Sequence, residues 1–319
     1  MSTFYFLFQQ TMFFSIPLLV VALGGMFSER SGVVNIALEG IMIMGAFSGI
    51  FFINACQTNF ALNGQILLIA ALCVSALTGM VFSLLHAYAA INMNADQVIS
   101  GTALNMFAPA FAIYVARMIQ TVQQIQFKNE FRFDFIPFLG KIPVIGPMFF
   151  QNTYLTTFLG LIILGISIVV LNKTRFGLRL RACGEHPQAA DSVGIKVRWM
   201  RYAGVMISGA LAGIGGLIFV IPTSTNFNAT VAGYGFLALA VLIFGQWKPK
   251  RIFFAALLFG VMKTLAAAYT GIPFLSNLPI PSYFYKMTPY IATLIVLAFT
   301  SKHSQSPKAA GQPYDQAGR

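Results

Sequence analysis

Only eight of the 319 residues are acidic, so a carboxylate inside an apolar run is the first place to look for chemistry. Glu39 is one such residue, in the run 33–53. Moving an ionisable group to the centre of a membrane helix costs about 2.5–3.5 kcal/mol on insertion scales, so it is kept for a reason. Asn35 precedes it by four residues, which on a continuous helix puts an amide and a carboxylate on one face. The pair either lines a polar pathway or makes a helix–helix hydrogen bond. A second polar set, Asp96, Gln97 and Asn105, lies at and beyond the start of another run; Asp96 is equally suited to capping that helix. A third set places amide and aromatic groups near one end of the chain's apolar layer: Asn226, Phe227, Tyr234 and Phe236. Each of these aromatics also suits a core or interfacial-belt position. Lys263, inside a further run, either snorkels to the outer interface or pairs with Glu39. Catalytic signatures are missing from the sequence. His86, His186 and His303 are scattered, without H-E-x-x-H or Ser/His/Asp spacing. Cys56, Cys73 and Cys183 form neither a metal pair nor an even disulfide set, and read as packing residues.

The elements that must position these groups are set by composition. The chain is 57% hydrophobic and 9% charged, with mean hydropathy +0.76. Soluble chains carry about a quarter charged residues, which excludes a soluble enzyme or a disordered scaffold. The formal charge of +12 is spread between apolar runs rather than gathered into an arm that tracks phosphates, so it speaks for membrane topology and not nucleic acid. About 20 apolar residues span a bilayer, and candidates run near 12–27, 33–53, 65–90, 98–120, 152–171, 202–221, 252–270 and 284–300, with a shorter one at 234–246. Peptide groups in lipid must be hydrogen-bonded internally, and ten-residue alternating segments are absent, so the spans are helices and not a barrel. No Lys or Arg precedes Arg30, so the first run lacks the basic region of a cleaved signal and is expected to stay as a span.

The expected fold is therefore all-α: a polytopic transmembrane helical bundle of about 8–10 spans. Residues 28–40 and 234–246 are candidates for broken or re-entrant helices, and the Gly-rich segments near 31–45 and 233–245, each a turn followed by a small-residue apolar helix, suggest an inverted repeat. One domain covers 1–301, with an outer loop at 121–151 and a cytoplasmic loop at 172–201; residues 302–319 are expected to be a disordered cytoplasmic tail. The inside assignment follows from Lys173, Arg175, Arg179, Arg181, Lys196, Arg198 and Arg201 in one loop by the positive-inside rule. Lys248, Lys250, Arg251 and the tail then also lie inside, and the N-terminus outside. Glycines at 204, 209, 213, 215 and 216 let helices pack closely. Phe131, Phe133, Phe135 and Phe138, with Pro137, Pro143 and Pro147, make the outer loop stiff and aromatic, suited to a membrane belt or to docking an external partner.

The cytoplasmic loop encodes a short helix. Pro187 suits the first helical position, Ala189 and Ala190 favour propagation, and Gly194 suits the left-handed residue that ends a helix. Two turns are unstable alone in water, so this helix must be held by the membrane helices or by a partner. The segment Gly184-Glu185-His186-Pro187-Gln188-Ala189-Ala190-Asp191-Ser192-Val193-Gly194 resembles the coupling helix of ABC importer permeases in the branch that serves nucleosides, simple sugars and branched-chain amino acids. Phe27–Gly40 and Asp96–Asn105 resemble the nucleoside-type members, and Gly233–Gly245 resembles the family's late glycine-aromatic segment. His186 stands where that family usually has Asn, and still caps a helix weakly.

That resemblance implies a permease subunit in the inner membrane of a bacterium. It would bind a cytoplasmic ATPase through residues 184–195, pair with a second, paralogous permease, and receive solute from an extracytoplasmic binding protein. The absence of a G-x-x-x-x-G-K-[ST] loop agrees with ATP and Mg being used by the partner ATPase and with no cofactor in this chain. In that setting Glu39 and Asn35 would meet ribose hydroxyls or base edges, and aromatic faces could stack a base. A simple-sugar permease is the alternative; an ATP-independent carrier would lack any use for the 184–195 helix, and a membrane enzyme would need a catalytic constellation that the chain does not have.

Overall fold

The computed structural model describes residues 2–60, 64–137, 140, 142–269, 281–300 and 306–314. The chain folds as a helical bundle. Among the described residues seven helices are long and apolar enough to cross a membrane: α1 (Ser2–Arg30), α2 (Leu38–Asn59), α3 (Gln65–Ile91), α4 (Gln97–Gln120), α5 (Leu155–Lys173), α8 (Val197–Thr223) and α10 (Pro249–Ala268). Three short helices complete the working parts, α6 (Arg175–Glu185), α7 (Pro187–Ser192) and α9 (Tyr234–Phe244). A last helix, α11, runs over Ser282–Thr300.

The core is built on α8, whose glycine face admits α2 and α3 to backbone contact. A Cβ on Gly213 would lie 2.2 Å from the Ser75 carbonyl oxygen, and one on Gly45 would lie 2.3 Å from the Gly213 Cα. Without a hydrophobic drive between helices in lipid, such small-residue surfaces supply the packing. α1 fills the other side of α8, with Leu18, Leu19, Val20, Val21 and Leu23 all fully buried. Around this centre α4 and α5 leave large apolar residues exposed, among them Met106, Tyr114, Ile162 and Ile166, as a lipid-facing surface requires.

Among the described residues two small antiparallel ribbons mark one end of the bundle. β1 (Ile125–Gln126) pairs with β4 (Asn226–Phe227), and β2 (Arg132–Phe135) pairs with β3 (Gln151–Tyr154). The Gln9 side chain donates to the Pro147 and Gln151 carbonyls, so the N-terminus sits at this same end. The opposite end gathers Arg30, the α6–α7 unit and the 245–250 turn, the end for which the basic residues give the expectation of a cytoplasmic side. Phe138 in the outer loop, and Lys302, His303 and Arg319 in the tail, lie outside the described residues.

Three sequence expectations are corrected. The helix expected from residue 33 begins at Leu38. Gly32 (φ +99°) turns the chain, and residues 33–37 run on without helical structure, so Asn35 and Glu39 do not share a helix face. The cytoplasmic loop is mostly helical: α6 has 11 residues, and α8 already starts at Val197. The tail is not disordered over 306–314. Its peptide N–H groups at Ala309 and Gly311 donate to the carbonyls of Gly184 and Gly32 at 2.9 and 3.1 Å, and Tyr314 is buried.

Candidate functional site

The polar residues singled out in the sequence converge on the break between α1 and α2. Residues 31–37 leave peptide groups without helical partners, and each apolar neighbour helix contributes a side chain to satisfy them. Gln97 accepts from the Val34 N–H at 2.7 Å. His86 Nε2 donates to the Val34 carbonyl at 2.9 Å, with Ser100 on its Nδ1. Asn105 donates to the Ile36 carbonyl at 2.8 Å and accepts from the Gly40 N–H at 2.7 Å. Asn35 is fully buried and donates to Ser208 Oγ at 2.9 Å; its Oδ1 has no hydrogen-bond partner among the described residues. Unpaired buried backbone groups cost free energy comparable to a lost hydrogen bond, which accounts for amides and an imidazole in otherwise apolar helices.

Glu39 performs the same service for α9. Its Oε1 accepts from the Gly233 N–H at 2.9 Å and its Oε2 from the Gly235 N–H at 2.6 Å. The first N–H groups of a helix lack internal partners and carry the positive end of its dipole, so a carboxylate from another helix caps them. Gly235 permits the approach: a Cβ there would lie 2.4 Å from the Glu39 Cα. Lys263 is not the partner of Glu39. Its ammonium sits 5.3 and 5.4 Å from the ring centres of Tyr234 and Tyr290, a cation–π arrangement. Asp96 caps α4, accepting from the Val98 and Ile99 N–H groups at 2.7 and 3.0 Å.

An open cavity of about 590 Å³ lies toward the end that carries the ribbons, where α1, α8, α9, α10 and α11 meet. Tyr234, Phe219, Phe13 and Phe14 supply aromatic surface; Gln10, Thr223, Lys263 and Lys286 supply polar groups. The Tyr234 and Phe219 rings are 4.2 Å apart at 40°, and the Tyr234 hydroxyl is buried with no hydrogen-bond partner among the described residues. Of the nine residues expected along a solute pathway, Tyr234 alone lines this cavity. Asn226 and Phe227 are in the β1–β4 ribbon, and Phe236 points out of the bundle at 51% exposure. Sequence reading missed Gln10, Phe13, Phe14, Phe219 and Lys286. Among these only Lys286, a cation near the start of the last apolar run, offered a signal.

At the end opposite the ribbons α6 is pressed onto the end of α1, since a Cβ on Gly184 would lie 2.4 Å from the Arg30 carbonyl oxygen. The Arg30 guanidinium sits 3.5 Å from Glu185 and donates to the Trp247 carbonyl, while the Trp247 indole donates to Glu29 at 2.6 Å. One cluster thus joins α1, α6 and the α9–α10 turn. α7 follows, with Pro187 at its start and Gly194 (φ +84°) past its end. The Gly194 and Ile195 N–H groups return to the carbonyls of Asp191 and Ala190, closing the helix as a left-handed glycine allows. His186 makes no side-chain cap to α7, contrary to expectation. Pro187 and Ala190 face inward, whereas His186, Gln188, Ala189, Val193 and Gly194 are exposed.

Residues 7–298 match the family described as branched-chain amino acid transport system / permease component. The chain belongs to this family. It is 42% identical to the nucleoside ABC transporter permease protein NupC of Lactococcus lactis subsp. cremoris, over 98% of each chain. With the guanosine ABC transporter permease protein NupQ of Bacillus subtilis it shares 43% identity over 95% of this chain and 94% of that one. The Lactococcus protein NupB, also a nucleoside ABC transporter permease protein, is 27% identical over 81% of this chain. With seven apolar helices of spanning length among the described residues, this family member is a multi-pass membrane protein.

Proposed function

We propose that this chain is the membrane-spanning subunit of an ATP-binding cassette importer that carries a nucleoside inward across the cytoplasmic membrane of a bacterium. The observation that carries the reading is the identity of 42–43%, over nearly the whole length, with permeases named for nucleoside and guanosine transport. The outer cavity supports it. An aromatic pair, Tyr234 with Phe219, suits a base, which aromatic surfaces hold at about 1–3 kcal/mol per stack. Gln10 and Thr223 offer hydrogen bonds to sugar hydroxyls. The carboxylate and amides of the α1–α2 break belong to the frame around which the helices move.

The chain works with other polypeptides in this reading. Lactococcus holds both NupB and NupC, which supports pairing with a second, paralogous permease. An ATPase subunit, which holds ATP and Mg, docks on Gly184–Gly194; a binding protein delivers solute to the outer end. This chain contributes no cofactor and breaks no bond. When the ATPases close, α7 is displaced, and the Gly184–Arg30 contact carries that displacement to α1. The bundle then tilts between outward-open and inward-open forms.

Proteoliposomes holding the chain with its ATPase, second permease and binding protein test this reading. Uptake of labelled guanosine or uridine is expected to require ATP and to be displaced by other nucleosides but not by ribose. Displacement by ribose alone would reassign the cavity to simple sugars, and uphill uptake by this chain without companion subunits would overturn the importer reading.

A further inference from the structure

The stretch from Pro307 to Tyr314 crosses three elements that are far apart in sequence. Its Ala309 N–H donates to the carbonyl of Gly184 at the end of α6, and its Gly311 N–H to the carbonyl of Gly32 in the α1–α2 break. From α8, the Arg201 Nη1 donates to the Gln312 carbonyl at 3.0 Å, and the guanidinium lies 5.7 Å from the centre of the Tyr314 ring. Tyr314 then packs in one apolar cluster with Cys183 of α6, Ala190 of α7 and Val197 of α8. The segment is shaped for this course. Prolines sit at 307 and 313, turns close from Ala310 to Pro307 and from Gln312 to Ala309, and Gly311 adopts φ +80°.

Arg201 explains why a tail is needed. It is 1% exposed, and among the described residues its Nε and Nη2 have no hydrogen-bond partner. A position 3.0 Å from Nη2 is left open only because residue 32 is glycine. A buried cation is costly unless compensated, and the described groups that compensate this one, the Gln312 carbonyl and the Tyr314 ring, both come from the tail.

We propose that residues 307–314 are a strap that positions the α6–α7 unit on the α1–α2 break, with Arg201 as the residue that joins the strap to α8. The proposal rests on the coupling role given above to residues 184–194. Without the strap, α6 keeps its contact with Arg30 at one edge, while α7 loses the Tyr314 ring beneath Ala190. Displacement of α7 then no longer reaches the break as a rigid-body movement.

Cys183 reports on the strap directly. It is fully buried beside Tyr314, and burial pushes its thiol up to about 11, so little reactive thiolate forms near pH 8. In a Cys56→Ala, Cys73→Ala background of the assembled transporter, maleimide labelling at pH 8 is followed for Tyr314→Ala and, separately, for Gly311→Val, which strains the strap's other end. Both substitutions are expected to speed Cys183 labelling at least tenfold. Nucleoside moved per ATP hydrolysed should fall at least threefold while the yield of assembled complex is maintained. Solute moved per ATP equal to that of the parent protein in both variants would overturn the strap's role, whatever the labelling rate. Failure of the importer reading itself would show differently, as absence of ATP-dependent nucleoside uptake by the parent protein.

Discussion

The α1–α2 break and the outer cavity are both polar regions of an apolar bundle, and they use polarity in opposite ways. At the break, Gln97, His86, Asn105 and Glu39 each direct at least one hydrogen-bonding atom to a backbone group within 3.0 Å, while His86 also meets the Ser100 hydroxyl and Asn35 keeps one amide oxygen without a partner among the described residues. Around the cavity, the Tyr234 hydroxyl has no partner among the described residues, and Lys263 rests on aromatic faces. Polar groups spent on neighbouring backbone hold a shape; a group with unused capacity on the wall of a cavity, as Tyr234 is and the fully buried Asn35 is not, can meet a solute. An intramembrane carboxylate such as Glu39 therefore marks architecture here, and in the proposed reading the solute meets residues that look ordinary in the sequence.

The sharpest way to break this contrast is at the break itself. Glu39→Ala leaves the Gly233 and Gly235 N–H groups without their acceptor, at about 1–3 kcal/mol for each unsatisfied buried group. The variant is expected to lose several kilocalories of stability and to fail to accumulate, whereas Glu39→Gln, which keeps one acceptor, should recover part of the loss. Thermal unfolding in detergent measures both. A stable Glu39→Ala protein with a raised KM for nucleoside would move Glu39 from the frame to the pathway. Gly213→Val comes next, because its side chain would meet the Ser75 carbonyl at 2.2 Å, and backbone cannot yield as a flexible side chain would. Overpacking of this kind costs about 1–3 kcal/mol, read in the same melts.

The cavity should respond in the reverse sense. Tyr234→Ala is expected to raise the KM for nucleoside uptake roughly tenfold, in line with the loss of about 1.4 kcal/mol from a stacking contact. Lys263→Met should act in the same direction by a smaller factor, as about 0.5–1 kcal/mol of cation–π attraction is removed. Melting temperatures should move little for Lys263→Met. A destabilised Lys263→Met protein with unaltered KM would erase the distinction between the two regions.

Much of the fold was legible in the sequence, because long apolar runs have one solution in lipid. The α7 boundaries were legible too: Pro187 and Gly194 announce a helix start and stop through their own backbone preferences. The course of residues 33–37 was not. Val33, Val34 and Ile36 are as apolar in an extended segment as in a helix, and the groups that hold them, His86, Gln97 and Asn105, come from 50 or more residues away. The tail misled for a related reason. Its small and polar residues predict disorder when read locally, but its contacts are backbone hydrogen bonds to Gly184 and Gly32 and a ring over Arg201. Cavity residues such as Phe13 and Phe219 carry no local mark at all, since an aromatic in a span serves equally well as core.

The smallest effect on stability should accompany the most specific effect on function. Glu185 is 41% exposed at its side chain and 3.5 Å from Arg30, whose own side chain is 14% exposed, and a long contact to a carboxylate left this open to water contributes only about 1 kcal/mol. Glu185→Lys, alone or with Asp191→Lys, is therefore expected to leave assembly and melting nearly unchanged. It should nevertheless lower nucleoside uptake at constant ATP hydrolysis, because two like charges then face each other where α6 meets the end of α1. The cavity variants would raise KM without altering the solute moved per ATP at saturation, and the Glu185 variants would do the converse. Uptake and hydrolysis falling together in the Glu185 variants would point to lost ATPase docking instead of lost transmission, and would place the mechanical contact elsewhere on the cytoplasmic end.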